Sequence, residues 1–390
     1  YTVPGIMKEK YAIVGIGYTP QGRLPGRTSL SFHLEACANA IADAGLKKDD
    51  IDGLVCYRSF PGTSDEGAVT PYLVAQRLGI APTYMSQDAN CSRSHLQHAI
   101  GALEAGFCNY VVISYGHNAA SSDSMTRMLM EMHSDDAAFG NFGATAGYAL
   151  AARRAMHEFG TGPETWKHIA VGQRKWANLN PRAQMHSRAM SFDNYKNGRP
   201  LIDPFTLFDA CLTTDGGRAV VITSAERARD LKHPPAYIMG IGQHNPSVEP
   251  SHSTALAGPT GAKKASRAAL RMAGISLSDI DACEIYDCFT YTVEITLQDY
   301  GFFGPGEGAD WFRDGTIEPG GRMPVNTSGG LLSEAYFMGL TPLSEAAMQL
   351  MGRCERRQLG PATGTKSPEI IIASDNGGIL QTHSCAILRR

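Results

Sequence analysis

Cysteine and histidine are the residue types that most often act as nucleophiles or metal ligands, and their spacing in this sequence argues against metal. The chain contains 9 cysteines and 12 histidines, with no CxxC pair and no HExxH motif. We therefore expect no bound metal and no structural zinc. Several cysteines lie in apolar segments, where a free thiol behaves as a small hydrophobe. The unpaired, odd number of cysteines indicates a reduced protein, which we expect to be cytoplasmic.

The composition places few other limits on function. The 390 residues are 43% hydrophobic and 19% charged, which is typical of a globular protein with room for two cores. A formal net charge of −3 gives no indication of nucleic-acid or anionic-membrane binding. No apolar run reaches the roughly 18 residues of a membrane span, and residues 1–10 lack a secretion signal pattern. The composition thus favours an enzyme or binding protein of the cytoplasm.

An internal repeat predicts the elements that must position any site. YAIVGIG, from Tyr11 to Gly17, is matched by AYIMGIG, from Ala236 to Gly242. Each is followed by a segment of the form A-x-x-x-A-G-[LI]-x-x-x-D-I-D, which ends at Asp52 in one copy and at Asp281 in the other. The pattern predicts a strand, a helix that ends at an Ala-Gly pair, and a further strand. The duplication indicates two similar halves.

Strands that alternate with helices predict an α/β fold in which parallel sheets are covered on both faces. The boundary between the halves falls near Pro234-Pro235, and we divide the chain into residues 1–232 and 233–390. A long polar insertion in the first half, in which WKHIAVGQRKWANLN favours a helix, is typical of a binding lid or a partner surface.

Several longer blocks show that the chain resembles the thiolase superfamily and, within it, thiolases of the sterol-carrier-protein-X type. The blocks are KWANLNPRA, PLIDPFTLFDACLTTDGGRAVVITSAERA, EIYDCFT (Glu284 to Thr290) and NTSGGLLSEAYFMG (Asn326 to Gly339). The resemblance extends over nearly the whole chain. It implies a thiolase fold, in which two similar halves form a five-layer α-β-α-β-α sandwich.

The departures from this family concern its catalytic residues. Related thiolases carry a histidine at the position of Tyr286 and another, within Gly-His-Pro, at the position of Tyr336. Near the C-terminus they keep a cysteine before a Gly-Gly turn, whereas this chain has Ser374 and Asp375 before that turn. The resemblance therefore implies that the thiolase chemistry has been lost.

The thiolase nucleophile has no clear counterpart either. Cys91 lies in DANCSRSHLQHAIGALEAG, close to the start of a helix whose apolar face is Leu96, Ala99, Ile100 and Leu103. Aligning that face with the family places the nucleophile nearer Arg93. We therefore expect Cys91 not to be a nucleophile.

Paired tyrosines in place of both histidines resemble the thiolase-like aldolases of steroid side-chain degradation. That resemblance implies a retro-aldolase that cleaves the Cα–Cβ bond of a β-hydroxyacyl-CoA. We expect Tyr286 to take the hydroxyl proton and Tyr336 to act on the enolate, and the reverse assignment stays open. A phenol can serve in either proton step, because it donates when neutral and accepts as phenolate. Its unperturbed pKa of about 10 makes it a poor base at neutral pH. The site must therefore lower the pKa of one tyrosine or hold both in a proton-sharing pair.

Five further residues are candidate supports for this chemistry. In the family frame, the Asn-x-x-Gly-Gly turn brings backbone close to the thioester, because glycine permits that approach. Asp287 either orients the strand of Tyr286 or caps the next turn, and we favour the second interpretation. A histidine at a predicted strand end, in SYGHNAASS, either faces the site or makes a local hydrogen bond. The five candidates are Asn326, Gly329, Gly330, Asp287 and His117.

Two other functions stay open from the sequence. One is an acyltransferase or thiolase that uses Cys91 with a histidine such as His95 or His117. The other is a non-catalytic subunit that binds acyl-CoA or lipid. The resemblance implies no cofactor other than the coenzyme A carried by the substrate. It also implies a homodimer and a partner protein with an OB-fold and a zinc ribbon that binds acyl-CoA.

Overall fold

The computed structural model of the chain describes residues 9–57, 69–88, 94–122, 135–138, 141, 143–246, 253 and 255–390. The strands are β1 (Tyr11–Tyr18), β2 (Gly53–Tyr57), β3 (Tyr84–Asp88), β4 (Tyr110–Asn118), β5 (Pro200–Ile202), β6 (Phe205–Thr206), β7 (Asp215–Ser224), β8 (Ala236–His244), β9 (Ala282–Glu284), β10 (Ile370–Gly377) and β11 (Thr382–Arg389). The α-helices are α1 (Ser29–Asp43), α2 (Pro71–Leu78), α3 (Ser94–Glu104), α4 (Asp135–Ala138), α5 (Gly143–Phe159), α6 (Pro163–Leu179), α7 (Phe192–Lys196), α8 (Ala225–Ala228), α9 (Gly261–Ala273), α10 (Thr290–Tyr300), α11 (Gly308–Phe312), α12 (Gly330–Ser333) and α13 (Leu340–Leu350).

The two copies of the sequence repeat fold alike. The first gives β1, α1 and β2, and the second gives β8, α9 and β9. Helix α1 ends next to Gly45, whose φ is 76°, and α9 ends at Gly274, whose φ is 70°. Both glycines occupy the left-handed region that a helix end of this kind requires. The prediction from the Ala-Gly pairs is confirmed.

The Gly-Ile-Gly of each repeat lets a helix lie directly on its strand. A Cβ added to Gly17 would collide with the carbonyl oxygen of Ala36 in α1, and one added to Gly242 would collide with that of Ala265 in α9. The strand and helix backbones thus approach more closely than any side chain would allow. The repeated glycines therefore set the distance between sheet and helix in both halves.

Within the described residues, nine strands form one sheet in the order β3-β2-β4-β7-β1-β8-β11-β10-β9. The order is symmetric about the centre, because β1, β7, β4 and β2 correspond to β8, β11, β10 and β9. The pairings correspond as well: β1–β7 and β8–β11 are antiparallel, whereas β2–β4 and β9–β10 are parallel. The duplication seen in the sequence is therefore a duplication of topology.

The sheet is mixed, so the expectation of parallel sheets was wrong. Neighbours are parallel only in the β2–β3, β2–β4 and β9–β10 pairs of the described residues. Strands β10 and β11 are joined by a short turn, and a short turn can connect only antiparallel strands. In the first half, the strand that corresponds to β11 is β7. It pairs antiparallel with β4 and follows the long insertion in the chain.

Three apolar cores separate five layers. One core lies between helices α1 and α2 and the first-half strands. The second lies between both half-sheets and contains the apolar faces of α3 and α13. The third lies between the second-half strands and helices α9, α10 and α6. The α-β-α-β-α layering implied by the resemblance is confirmed.

The insertion of the first half contains the predicted helix, α6. Trp166 and Trp176 on this helix are fully buried. The Trp176 indole donates to the carbonyl of Ile317 at 2.7 Å, and the Trp166 indole donates to the carboxyl of Glu294 at 2.7 Å. Helix α6 therefore packs into the second half.

Six cysteines within the described ranges are free thiols: Cys37, Cys56, Cys108, Cys211, Cys283 and Cys354. None of the helices in those ranges is both long enough and apolar enough to span a membrane.

Replacing Gly17 by alanine should destabilise the protein, because the new methyl group has no room beside α1. We expect the free energy of unfolding to fall by about 1–3 kcal/mol, measured by urea denaturation. Gly101→Ala is the matched control, since no atom lies within 4 Å of the Cβ position in α3. That variant should be unchanged or more stable by up to about 1 kcal/mol. Equal losses in the two variants would contradict the close-approach explanation.

Glu294 should make stability depend on pH. Burial raises its pKa to about 7, although hydrogen bonds from Thr161 and Trp166 act in the opposite direction. Because its pKa is higher in the folded than in the unfolded chain, its contribution is present in acid and is lost as pH rises through 7.

We therefore expect wild type to lose about 2–3 kcal/mol of unfolding free energy relative to Glu294→Gln between pH 5 and pH 8. Urea denaturation at several pH values measures this difference. A difference that does not change with pH would show that Glu294 does not titrate in this range.

Candidate active site

The two tyrosines that the sequence singled out meet in the fold. Their hydroxyl oxygens are 2.7 Å apart, and either phenol can be the donor. The rings meet edge to face at 72°, with centroids 6.2 Å apart. Tyr286 is 3% exposed, and Tyr336 is partly exposed. The geometry is that of two phenols sharing a proton at the border of the buried core.

The thioether of Met338 adjoins both hydroxyls. Its sulfur lies 3.0 Å from the Tyr336 oxygen and 3.9 Å from the Tyr286 oxygen. When Tyr336 donates to the sulfur, its oxygen can accept from Tyr286; when Tyr336 donates to Tyr286, the proton of Tyr286 is available to another acceptor. Met338 has a φ of 51°, a strained value for a residue with a side chain. The backbone at Met338 is thus held in a conformation that places the Met338 sulfur next to both tyrosine hydroxyls.

Two side chains from other parts of the chain fix the backbone at Tyr286. The peptide NH of Tyr286 donates to the Ser374 hydroxyl on β10 at 3.0 Å. The NH of Ile285 donates to the side-chain oxygen of Asn326 at 2.6 Å. Strand β9 leads into this position alongside β10. Tyr286 is therefore held between the last strands and the Asn-x-x-Gly-Gly turn.

The chain at Tyr336 is anchored on the first half of the molecule. The NH of Tyr336 donates to the Thr214 hydroxyl at 3.0 Å. Two residues earlier, Glu334 forms an ion pair of 2.8 Å with Arg218 of β7, and the two side chains are 2% and 1% exposed. A buried ion pair that loses one partner leaves an uncompensated charge, so the contact fixes its chain segments. The phenol pair thus depends on the packing of one half against the other.

Asp287 caps helix α12. Its two carboxyl oxygens accept from the peptide NH groups of Leu331 and Leu332 at 2.8 and 3.1 Å. Burial raises the pKa of Asp287 to about 7, although these hydrogen bonds oppose the shift. A Cβ on Gly330 would collide with this carboxyl group. Asp287 therefore connects the two tyrosine blocks, and the end that it caps belongs to a distant helix rather than to the next turn of the chain.

The Asn-x-x-Gly-Gly turn has the backbone conformation that its residue types favour. Asn326, Gly329 and Gly330 have φ values of 54°, 102° and 62°. A Cβ on Gly329 would collide with Ala177 of α6. The turn thus requires glycine for its own packing, and the approach of its backbone to a thioester stays a prediction.

A buried polar network lies beneath the turn. The Thr327 hydroxyl is within 2.7 Å of a Glu284 oxygen and 2.9 Å of a Glu345 oxygen. Glu345 is paired with Arg357 at 2.9 Å, and both are 2% exposed. Burial and the charge of Glu345 raise the pKa of Glu284 well above its usual value. The network therefore favours the neutral form of Glu284 beside the Glu345–Arg357 ion pair, and it links the segment before Tyr286 to the turn.

His117 lies near the end of β4. Its ring centroid is 5.8 Å from that of Tyr115, which is 6.4 Å from that of Phe337, the residue after Tyr336. Burial lowers the pKa of His117 to about 4, although Asp215 acts to raise it. The imidazole is therefore neutral at neutral pH.

Cys91 lies outside the residues that the structure describes. His95, the histidine considered as its partner, is on α3, where its ring stacks on Tyr57 with centroids 3.7 Å apart. The described apolar face of α3 is the predicted one, with Leu96, Ala99 and Ile100 buried.

Reasoning from the sequence missed the residues that hold the phenols in place. Arg218 and Thr214 belong to the Asp-Gly block of the first half, which showed the family resemblance but gave no indication of a contact with Tyr336. Met338 gave no signal at all. Ser374 did give one, because it precedes the Gly-Gly turn where related thiolases have a cysteine.

Comparison with known proteins identifies the family. Residues 242–390 match the family model "Thiolase C-terminal domain-like". A steroid side-chain-cleaving aldolase of Thermomonospora curvata is 34% identical over 359 residues, which cover 87% of this chain and 90% of that protein. The 17-hydroxy-3-oxo-4-pregnene-20-carboxyl-CoA lyase of Mycobacterium tuberculosis is 34% identical over 367 residues, covering 87% and 91%.

A solved structure of an "Ltp2-ChsH2(DUF35) aldolase" is similar over 98% of both chains, with a TM-score of 0.86 and 32% identity. The chain belongs to the thiolase superfamily and, within it, to the thiolase-like aldolases that include the steroid side-chain-cleaving aldolase of Thermomonospora curvata.

Proposed function

We propose that the protein is a retro-aldolase that cleaves the Cα–Cβ bond of a β-hydroxyacyl-CoA. The substrate is a 17-hydroxy steroid side-chain CoA thioester, and the products are a 17-ketosteroid and a short acyl-CoA such as propionyl-CoA. The observation that carries the proposal is the 2.7 Å contact between the hydroxyls of Tyr286 and Tyr336. The names of two relatives that are each 34% identical to the chain support the reaction class and the steroid substrate.

The reaction needs two proton transfers and no change of oxidation state. Tyr286 takes the proton of the β-hydroxyl group, and the oxygen forms the ketone as the Cα–Cβ bond breaks. The electron pair of that bond enters the thioester as an enolate. Tyr336 then protonates the α-carbon of the enolate, which gives the short acyl-CoA. Each atom and electron is thereby accounted for without a cofactor beyond the coenzyme A of the substrate.

The contact between the phenols makes this chemistry possible at neutral pH. A neutral phenol that donates a hydrogen bond to a phenolate favours the ionised form of its neighbour. After the first transfer, the proton taken up by one tyrosine can pass across the shared hydrogen bond to the other. The same pair can therefore remove a proton from oxygen and return one to carbon.

We also propose that the protein works as a homodimer with a partner that has an OB-fold and a zinc ribbon and binds acyl-CoA. The structure of the similar "Ltp2-ChsH2(DUF35) aldolase", whose name has two components, supports a second subunit. Activity measurements should therefore use the chain together with this partner. We further propose that the protein is cytoplasmic, in keeping with the six free thiols among its described residues.

Loss of either phenol should remove most of the activity. We expect Tyr286→Phe and Tyr336→Phe each to lower kcat about 10²- to 10⁴-fold, since each removes a proton-transfer group. Release of ketone and propionyl-CoA, followed by mass spectrometry, measures the effect. Tyr291→Phe is the matched control: this buried hydroxyl, in the segment next to Tyr286, has no hydrogen-bond partner among the described residues.

The same assay distinguishes the other functions. Cys91→Ala should retain cleavage under the proposed mechanism. Loss of activity in Cys91→Ala alone, or acyl transfer that requires free CoA, would contradict it and favour a thiolase. Absence of turnover in wild type with its partner would favour a binding subunit.

A further inference from the structure

The sulfur of Met338 makes the phenol pair asymmetric. It lies 3.0 Å from the Tyr336 oxygen but 3.9 Å from the Tyr286 oxygen. The shorter distance is that of a hydrogen bond donated by the Tyr336 hydroxyl, whereas the longer one is a much weaker contact. A thioether accepts hydrogen bonds and donates none, so it acts on the pair only by fixing where a phenol proton points. The two tyrosines are therefore not interchangeable.

The turn into α13 fixes the position of this sulfur. Met338 lies between α12 and α13 and is 3% exposed. The NH of Phe337 donates to the Thr341 hydroxyl at 3.1 Å, and the NH of Thr341 donates to the Met338 carbonyl at 3.3 Å. A residue with a side chain keeps a φ of 51° only where its surroundings impose it. The contacts on both sides of Met338 thus hold the sulfur at the phenols.

The sulfur favours one of the two ways in which the neutral phenols can share their protons. When Tyr336 donates to the sulfur, its oxygen accepts from Tyr286, and a lone pair of the Tyr286 oxygen can accept a further proton. In the opposite arrangement, Tyr336 donates to Tyr286 and gives up its short bond to the sulfur. The first arrangement is the one in which Tyr286 can accept the proton of the substrate hydroxyl.

We propose that Met338 is a positioning residue that makes the phenol pair a one-way proton relay from the substrate hydroxyl to the α-carbon. The inference rests on the proposed function, to which it adds the direction of transfer. The order of transfer is from the substrate hydroxyl to Tyr286, from Tyr286 to Tyr336, and from Tyr336 to the α-carbon.

The relay balances in protons and electrons. The O–H bond of the substrate breaks as a new O–H bond forms at Tyr286, and its electron pair becomes the second bond of the ketone. Tyr286 passes its original proton to Tyr336, whose own proton leaves the sulfur. The electron pair of the Cα–Cβ bond then forms the new C–H bond with that proton. Each phenol ends neutral, and a thioether suits this role because it accepts only weakly and releases the proton to a stronger acceptor.

Other charged groups also lie around the phenol pair. Asp375 of β10 is so close to Gly339 that a Cβ there would collide with its carboxyl group. Glu334 is paired with Arg218, and Asp287 caps α12. Replacing methionine by leucine at position 338 alters none of these groups. A difference between the two proteins therefore reports on the sulfur.

Fluorine NMR of the resting protein tests the role of the sulfur without turnover. The full chain would carry 3-fluorotyrosine in place of Tyr286 or of Tyr336, and each label would be titrated with pH. In Met338→Leu, the titration at position 336 should move to lower pH by more than the titration at position 286. The variant loses both the bond that holds the neutral Tyr336 hydroxyl and the sulfur lone pairs that oppose a phenolate beside them.

Met348→Leu is the matched control, because it makes the same change at a buried methionine of α13. It should move neither titration. Leucine has nearly the volume of methionine, so both variants should fold, and thermal unfolding checks this. Equal shifts at positions 286 and 336, or no shift at position 336, would overturn the proposal.

Cleavage kinetics with the partner present give a second readout. Met338→Leu should lower kcat about 3- to 10-fold and leave KM unchanged, since it removes one ordering hydrogen bond and no contact to the substrate. Met348→Leu should match wild type. An unchanged kcat in Met338→Leu, or an equal loss in both variants, would contradict the relay. Absence of cleavage in wild type would count against the proposed function, whereas the titrations would still decide whether the sulfur orders the pair.

Discussion

The hydrogen bond between two phenols is the constraint on which the site depends. Tyr286 and Tyr336 are 50 residues apart in the chain, and their oxygens must lie within 2.7 Å of each other. A small displacement of either backbone would break a contact of this length. The surrounding structure therefore has to fix two loops at once, and hydrogen bonds from Ser374 and Thr214 act at the two tyrosines themselves.

Buried charge provides that fixation on both sides of the pair. Arg218 and Glu334 join the Tyr336 loop to the first half of the molecule, and Arg357 and Glu345 hold the network below the turn. Burying an ion pair adds little net stability, but breaking one is strongly destabilising. Such pairs are thus well suited to specifying a position. The structure consequently combines a rigid frame with a hydrogen-bonded pair of phenols.

Much of the fold could be predicted from the sequence, because its signals are local. The repeated Gly-Ile-Gly and Ala-Gly motifs predict strand, helix and helix end, and the structure has all three in both halves. The antiparallel positions of β7 and β11 could not be predicted, since pairing depends on where distant segments return. The same limit applies to the site: Thr214 bonds Tyr336 across 122 residues, and Ser374 bonds Tyr286 across 88. The two tyrosines were found only because a family resemblance marked their positions.

Cleavage of the 17-hydroxy steroid acyl-CoA in D₂O tests the phenol mechanism most directly. The protein and its partner would be incubated with substrate, without added CoA, and the products followed by mass spectrometry. The proposed mechanism predicts a 17-ketosteroid and a short acyl-CoA that carries one deuterium at its α-carbon, since the enolate is protonated there. Products that form only when free CoA is added, or an acyl-CoA without deuterium, would contradict a retro-aldol cleavage by proton transfer.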